Sequence, residues 1–171
     1  MKQAPFYTFN CKLPLNVRFH VDNGMITQVE LAAHSENKLR WQIVSKQPDE
    51  QLEVLICSWM ENYAAGKESK IILPTSLNHL TPYTIKVLLA VEQIPFGKTV
   101  AYKDIAQRTG SPRASRAVGS ACGRNPVPLI IPCHRVLASG SKLGGFGCGL
   151  DIKKHLLDFE NVVYRGVCKT R

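Results

Sequence analysis

Pro132-Cys133-His134-Arg135 is the stretch of this chain best equipped for chemistry. It follows the apolar run Leu129-Ile130-Ile131, which would aim the thiol out of a rigid core. A cysteine attacks as the thiolate, and with a pKa near ~8.5 only a few per cent of it is ionised at neutral pH. Nucleophilic use therefore predicts a local device that raises the thiolate fraction. The candidates are His134 as base, Arg135 or Arg124 as positive charges, or a helix N-terminus. The alternative is a buried structural cysteine, because free cysteine packs as a small hydrophobe.

The elements that must position this thiol read as helices. Thr81-Pro82 is a cap with proline at the first helical position, and the apolar run through Leu88, Leu89 and Ile94 ends at Pro95-Phe96-Gly97. A short helix is predicted over 100–108, closed by Gly110. Ser111-Pro112 then caps a second helix over 113–122, and this spacing suggests a helix-turn-helix. On the second helix Ala114, Ala117, Val118, Ala121 and Cys122 would make a shallow apolar face, with Arg113, Arg116, Gly119 and Ser120 opposite. Small residues beside arginines let a helix backbone approach a nucleic-acid groove while the guanidinium groups reach phosphates or stack on bases. A solvated basic helix fits the same pattern.

After the cysteine, the glycine-rich stretch 140–149 reads as a loop or wing. It is not a dinucleotide fingerprint, since it does not join a strand to a long helix with an acidic residue ~20 positions on. The last helix is predicted to start near Asp151, with Ile152, His155, Leu156 and Phe159 on one face. Glu160 falls near its end, where a carboxylate opposes the helix dipole and so calls for a specific partner. The first half reads as a small mixed α/β unit. Strands are expected over 5–11, 17–21 and 25–31, the last two joined by the turn Asp22-Asn23-Gly24. A helix carrying Leu52, Leu55, Ile56, Trp59, Met60 and Tyr63 follows, between Asp49 as cap and Gly66 as stop. A further strand is expected over 70–73 and a linker over 75–80.

Arg116-Ala117-Val118-Gly119, together with the unbroken segment from Gly123-Arg124-Asn125 through Pro132-Cys133-His134-Arg135 to Val136, resembles the O6-alkylguanine-DNA alkyltransferase family. The resemblance extends from about position 78 through Tyr102, Gly144-Gly145-Phe146, Leu156-Leu157 and Glu160 to about 165. The expected fold is an α/β N-terminal domain over 1–76, a small sheet plus helix of ribonuclease-H-like type, followed by a mainly helical winged helix-turn-helix domain over 77–171. The activity implied is DNA repair. An alkylated guanine is flipped out of the duplex and its O6-alkyl group passes irreversibly to Cys133, once per molecule, with O4-alkylthymine as a further expected substrate. On this resemblance His134 takes the thiol proton through water, Glu160 orients and charges the imidazole, Asn125 ties the neighbouring turns together, and Tyr102 bonds the base and helps protonate the leaving guanine. Arg116 is the finger that fills the vacated space. Arg113, Ser115, Ala117, Gly119, Arg124 and Arg135 join it in binding DNA, and Tyr102, Cys122, Pro128, Val136, Phe146 and Gly147 meet the base. Cys122 stands where a methionine is frequent, Phe146 where a tyrosine is, and Cys148 where a wing glycine is, so pocket size and tolerance of bulky alkyl groups stay open.

Of 171 residues, 22 are lysine or arginine and 13 aspartate or glutamate, a net charge of +9. That excess suits a polyanion without naming a target. No apolar run approaches the ~18 residues that cross a bilayer, so a soluble protein of the cytoplasm, or of the nucleus in a eukaryote, is expected. The partner expected is double-stranded DNA carrying alkylated guanine, with no membrane, no cofactor and no metal, and the protein acting as a monomer. Three rivals remain. A lesion-binding relative without the acceptor thiol is disfavoured by Cys133 itself. A winged-helix regulator leaves the Cys-His pair without a purpose. A zinc site using Cys122, Cys133, His134 and Cys148, or Cys11, His20, His34 and His79, lacks the spacing of paired ligands.

Overall fold

The structure, a computed structural model, describes residues 6–47 and 49–165. The chain forms two compact units, one of Met1–His79 with Pro126–Ile130, the other of Leu80–Asn125 with Ile131–Arg171. The return of 126–130 to the first unit is a feature that a single boundary after residue 76 does not contain. Its physical basis is a sheet-edge hydrogen bond, the Val29 amide donating to the Pro126 carbonyl at 2.8 Å.

In the first unit β1 (Tyr7–Asn10), β2 (Leu15–Asp22), β3 (Met25–Ala33) and β4 (Lys38–Ser45) form one sheet in the order β1-β4-β2-β3. Strand β2 pairs antiparallel with β3 and parallel with β4, and β1 pairs antiparallel with β4. Leu15, Val17, Phe19 and Val21 alternate inward along β2, as the period of a strand requires. The sheet packs against α1 (Glu50–Ala64), which Asp49 caps by accepting from the Leu52 amide, and which buries Leu52, Ile56, Trp59, Met60 and Tyr63. Leu55, expected on that face, is exposed. Two expectations need correction. Strand β4 is absent from the sequence reading, because Lys38 and Arg40 interrupt the apolar signal of Leu39 and Trp41. Residues 70–73 form no strand; the bond to the sheet comes two residues later, where Thr75 bridges Ile26. Pro5, the start of the expected first strand, lies outside the described residues.

The second unit begins with α2 (Pro82–Glu92), capped by the Thr81 hydroxyl. The two-residue strand β5 (Val100–Ala101) leads directly into α3 (Tyr102–Arg108), which is followed by α4 (Ser115–Gly123). Helix α4 starts two residues later than expected: 112–113 form a turn closed by the Ala114 amide on the Ser111 carbonyl, so Arg113 precedes the helix. Val118, Ala121 and Cys122 are its buried residues, whereas Ala117 is exposed beside Arg116. A 3-10 turn, Cys133–Arg135, feeds β6 (Val136–Leu137), which pairs parallel with β5; α5 (Leu150–Phe159) closes the unit, burying Leu156 and Leu157. Among the described residues no helix is long and apolar enough to cross a membrane.

Candidate active site

Cys133 opens the 3-10 turn, held by its own amide on the Ile131 carbonyl at 2.8 Å and by the Arg135 amide on the Pro132 carbonyl at 2.9 Å. Asn125 Nδ2 lies 2.8 Å from the Ile131 carbonyl and 3.2 Å from Cys133 Sγ, so one side chain fixes both the loop and the sulfur. Burial pushes the thiol up to about 11, outweighing the lowering by that hydrogen bond and by Lys153. This corrects the expectation of a raised thiolate fraction. Arg135 is committed elsewhere, Arg124 is exposed and donates to Thr84, and a turn of three residues has too little aligned dipole to replace them.

His134 is fully buried, and its Nε2 lies 2.8 Å from Glu160 Oε1. Arg135 donates from Nε to Glu160 Oε2 at 2.8 Å and from Nη2 to Oε1 at 3.0 Å, with Nη1 on the Ile94 carbonyl at 2.7 Å. The Gly97 amide donates to Oε2 at 3.1 Å. Burial alone would push the Glu160 carboxyl up, but the bonds and charges of His134 and Arg135 together hold it down at about 2. Burial lowers the His134 pKa, against the pull of Glu160. A neutral imidazole beside an ionised carboxylate places its proton on Nε2 and leaves the Nδ1 lone pair free. Nδ1 is buried and without a hydrogen-bond partner among the described residues, which is the disposition of a base.

A cavity of about 480 Å3 opens onto Cys133. One wall is α4, where Ser115, Arg116, Gly119, Cys122 and Gly123 recur at helical spacing; the loop Gly145-Phe146-Gly147 and Tyr102 supply others. The β5–β6 ladder brings the start of α3 beside the chain that leaves the Cys133 turn. Tyr102 donates to the Gly145 carbonyl at 3.3 Å, and burial pushes its phenol up to about 12. Gly144, at φ +65°, leaves room for it, since a Cβ there would stand 3.0 Å from the tyrosine ring. The Phe146 ring meets the His134 ring edge-on at 6.4 Å.

A protein-family model described as 6-O-methylguanine DNA methyltransferase, DNA binding domain, matches residues 82–162. The methylated-DNA–protein-cysteine methyltransferase of Methanocaldococcus jannaschii is 42% identical over 127 residues, 74% of this chain and 74% of that protein. The chain belongs to this family. The constitutive methyltransferase of Bacillus subtilis is 43% identical over 107 residues, which cover 62% of this chain and 64% of that one. The matches to the Bacillus subtilis and Methanosarcina barkeri methyltransferases span a little under two thirds of the length of those proteins. Among solved structures, Mycobacterium tuberculosis OGT in complex with DNA superposes with a TM-score of 0.67 at 28% identity, over 91% of each chain. The Pyrococcus kodakaraensis O6-methylguanine-DNA methyltransferase shares the fold, a small sheet with helices, at TM-score 0.61 and 23% identity.

Within this methyltransferase fold the sequence-predicted residues divide. Cys133, Tyr102, Cys122, Phe146, Gly147, Arg116, Ser115 and Gly119 all line one cavity, with Asn125 on the sulfur and, on the same turn, His134 bonded to Glu160 at the end of α5. Arg113, Ala117 and Arg124 are exposed. Three residues expected at the site are buried and outside the cavity lining. Arg135 is buried, its guanidinium paired with Glu160 and lying over the Phe96 ring. Val136 is fully buried in β6 and does not line the cavity, while Pro128 is buried in the first unit. Three residues were given no site role in the sequence reading: Gly97, whose amide binds Glu160; Gly144, which makes room for Tyr102; and Lys153, fully buried on α5. Only the position of Lys153 beside Ile152 and one turn before Leu157 could have signalled its burial.

Proposed function

We propose that this chain repairs DNA by moving the alkyl group of O6-alkylguanine onto its own Cys133, once per molecule. The observation that carries the reading is a thiol at the wall of a cavity that also contains Arg116 and Tyr102, with His134 on the same turn bonded to Glu160 at the end of α5. The fold that fits is a ribonuclease-H-like α/β domain and a winged helix-turn-helix, α3 and α4 being the helix pair and 140–149 the wing, acting as a monomer on double-stranded DNA. The names of its relatives support the same substrate.

The target O6 lies inside the base stack, so the nucleotide is rotated out at a cost of a few kcal/mol. Arg116, exposed at the cavity edge, fills the space it leaves. The thiol proton passes by way of a water to His134 Nδ1, and Glu160 stabilises the imidazolium that forms. As the Sγ–C bond forms, the C–O6 bond breaks. Tyr102, kept neutral by burial, offers its O–H to the departing guanine. The product is a thioether, from which no leaving group regenerates the sulfur. Incubation with DNA carrying O6-[14C]methylguanine gives one label per protein, located by peptide mass spectrometry on Cys133. Uptake by Cys133→Ala, or release of label as a small molecule over many turnovers, overturns the reading.

A further inference from the structure

The described cysteines are all free thiols, and they fall into two groups. Cys11 and Cys57 belong to the first unit, whereas Cys122, Cys133 and Cys148 converge in the second. Cys122 and Cys133 line the same cavity, and Asn125 ties them together: its amide donates to the Cys122 carbonyl at 3.2 Å and its side chain lies 3.2 Å from Cys133 Sγ. Cys148 follows Gly147, which lines that cavity too and lies against the end of α4, where a Cβ on it would stand 3.5 Å from the Gly123 carbonyl. The Gly149 amide, donating to the Phe146 carbonyl at 3.1 Å, folds 146–149 into the turn that carries Cys148.

The two neighbours of Cys133 differ in what they can do. Cys122 is buried in the last turn of α4, where the helix holds its backbone. Cys148 is half-buried and stands between Gly147 and Gly149, outside helix and strand, so a small oxidant can reach it and its backbone can adjust. A disulfide demands Cα atoms about 4.4–6.8 Å apart and a narrow range of dihedral angles. A glycine-flanked loop meets that demand by moving; a helix does not. Burial is the first cause that pushes the Cys133 thiol up, and the sulfur of Cys148 adds to it, which places the two sulfurs within electrostatic range of each other.

We propose that Cys148 is the redox partner of Cys133, a modification site whose substrate is a hydroperoxide. The peroxide oxidises Cys148, the more accessible of the two thiols, to a sulfenic acid; its O–O bond breaks and water, or the corresponding alcohol, leaves. Cys133 Sγ then attacks the Cys148 sulfur. The S–S bond forms as the S–O bond breaks, and the hydroxide departs as water with the proton that Cys133 gives up. Two electrons pass from the pair of sulfurs to the peroxide. In the disulfide Cys133 accepts no alkyl group, yet it is kept from the sulfinic and sulfonic acids that a thiol reductant does not reverse. Exchange with a dithiol returns both sulfurs to thiols. The loss of alkyl transfer rests on the function proposed above; the pairing itself does not.

The test treats the full chain with graded hydrogen peroxide, blocks the remaining thiols with iodoacetamide and maps the unreduced peptides by mass spectrometry. Label uptake from O6-methylguanine DNA is read on the same samples. The expected product links the Cys133 and Cys148 peptides within one molecule, while Cys57, half-buried in the first unit, stays a thiol. Uptake falls in step with the linked fraction and returns to within twofold of the untreated level on dithiothreitol. Cys148→Ser takes up label within twofold of wild type before treatment; after it, Cys133 carries the sulfinic acid and uptake does not return. Should that variant not fold, Cys148→Ala replaces it under the same criterion, and the linked peptide of wild type needs no variant. The proposal is overturned if Cys133 links to Cys122 or to a second molecule, if wild-type Cys133 reaches the sulfinic acid with no linked peptide, or if the variant recovers on reduction as fully as wild type. A linked peptide in wild type that takes up no label sinks the repair function and leaves the redox pair standing. Normal uptake with no linked peptide at any dose does the reverse.

Discussion

With its ionisation near 11, Cys133 holds only about one part in 10⁴ as thiolate at neutral pH. For such a sulfur to attack, its proton must go somewhere. On the proposed function the acceptor is His134, and the residue that makes it one is Glu160, which accepts hydrogen bonds from Arg135 and Gly97 and meets His134 Nε2. Removing its charge leaves Arg135 buried and unpaired, which costs roughly 3–5 kcal/mol. Glu160→Gln is therefore expected to melt well below wild type at pH 7 and to transfer alkyl groups at least tenfold more slowly. The acid limb provides a sharper check. The folded protein holds this carboxyl at about 2 against 4.5 unfolded, so its stabilisation is complete above pH 4.5 and drains away as pH falls toward 2. Urea denaturation at pH 7 and pH 3 should show the gap between wild type and variant narrowing in acid; a constant gap would mean that the carboxylate charge does not carry the effect.

Helix α4 shows how an element converts spacing into a site. Ser115, Gly119 and Cys122 fall on one face because the helical period puts them there, and Arg116 stands exposed at the same cavity. Arg116→Ala is expected to slow repair of O6-methylguanine in duplex DNA at least tenfold while leaving reaction with O6-methylguanine free base within about twofold, since only the duplex has a stack to fill. Equal loss on both substrates would place Arg116 in the chemistry instead. The caps of α1 and α2 and the turn before β3 were legible because they depend on local rules: Asp49, Thr81-Pro82 and Asn23-Gly24 act on their own neighbours. What was not legible depends on distant partners. Lys153 sits in an amphipathic pattern where lysine ordinarily faces water, and only three carbonyls supplied by other segments explain its burial. Arg135 reads as a DNA contact until Glu160, 25 residues away, claims its guanidinium. Strand β4 needed its partners β1 and β2 to be seen, because charges alternate with its apolar residues.

The charge of the whole molecule is distributed unevenly. Residues 1–79 carry eight lysines and arginines and eight aspartates and glutamates, whereas residues 80–171 carry 14 against five, so the entire excess of +9 belongs to the part that holds the cavity and α4. On the proposed function a lesion is rare among undamaged sites, so non-specific attraction to phosphates has to bring the protein to DNA before any base is flipped. Each phosphate contact contributes about 0.9 to the slope of log K against log salt. Binding to undamaged duplex is therefore expected to weaken steeply between 50 and 200 mM salt, with a slope of about −3 to −6 if three to six phosphates are contacted. Arg113→Ala, exposed in the turn before α4, should flatten that slope by about 1. Lys46→Gln and Lys67→Gln, both exposed in the charge-balanced first unit, should leave it unchanged. Fluorescence anisotropy of a labelled duplex across the salt series measures all three. A slope flattened equally by the first-unit variants would show that DNA is held by the whole surface, and the segregation of charge would then have no part in finding the lesion.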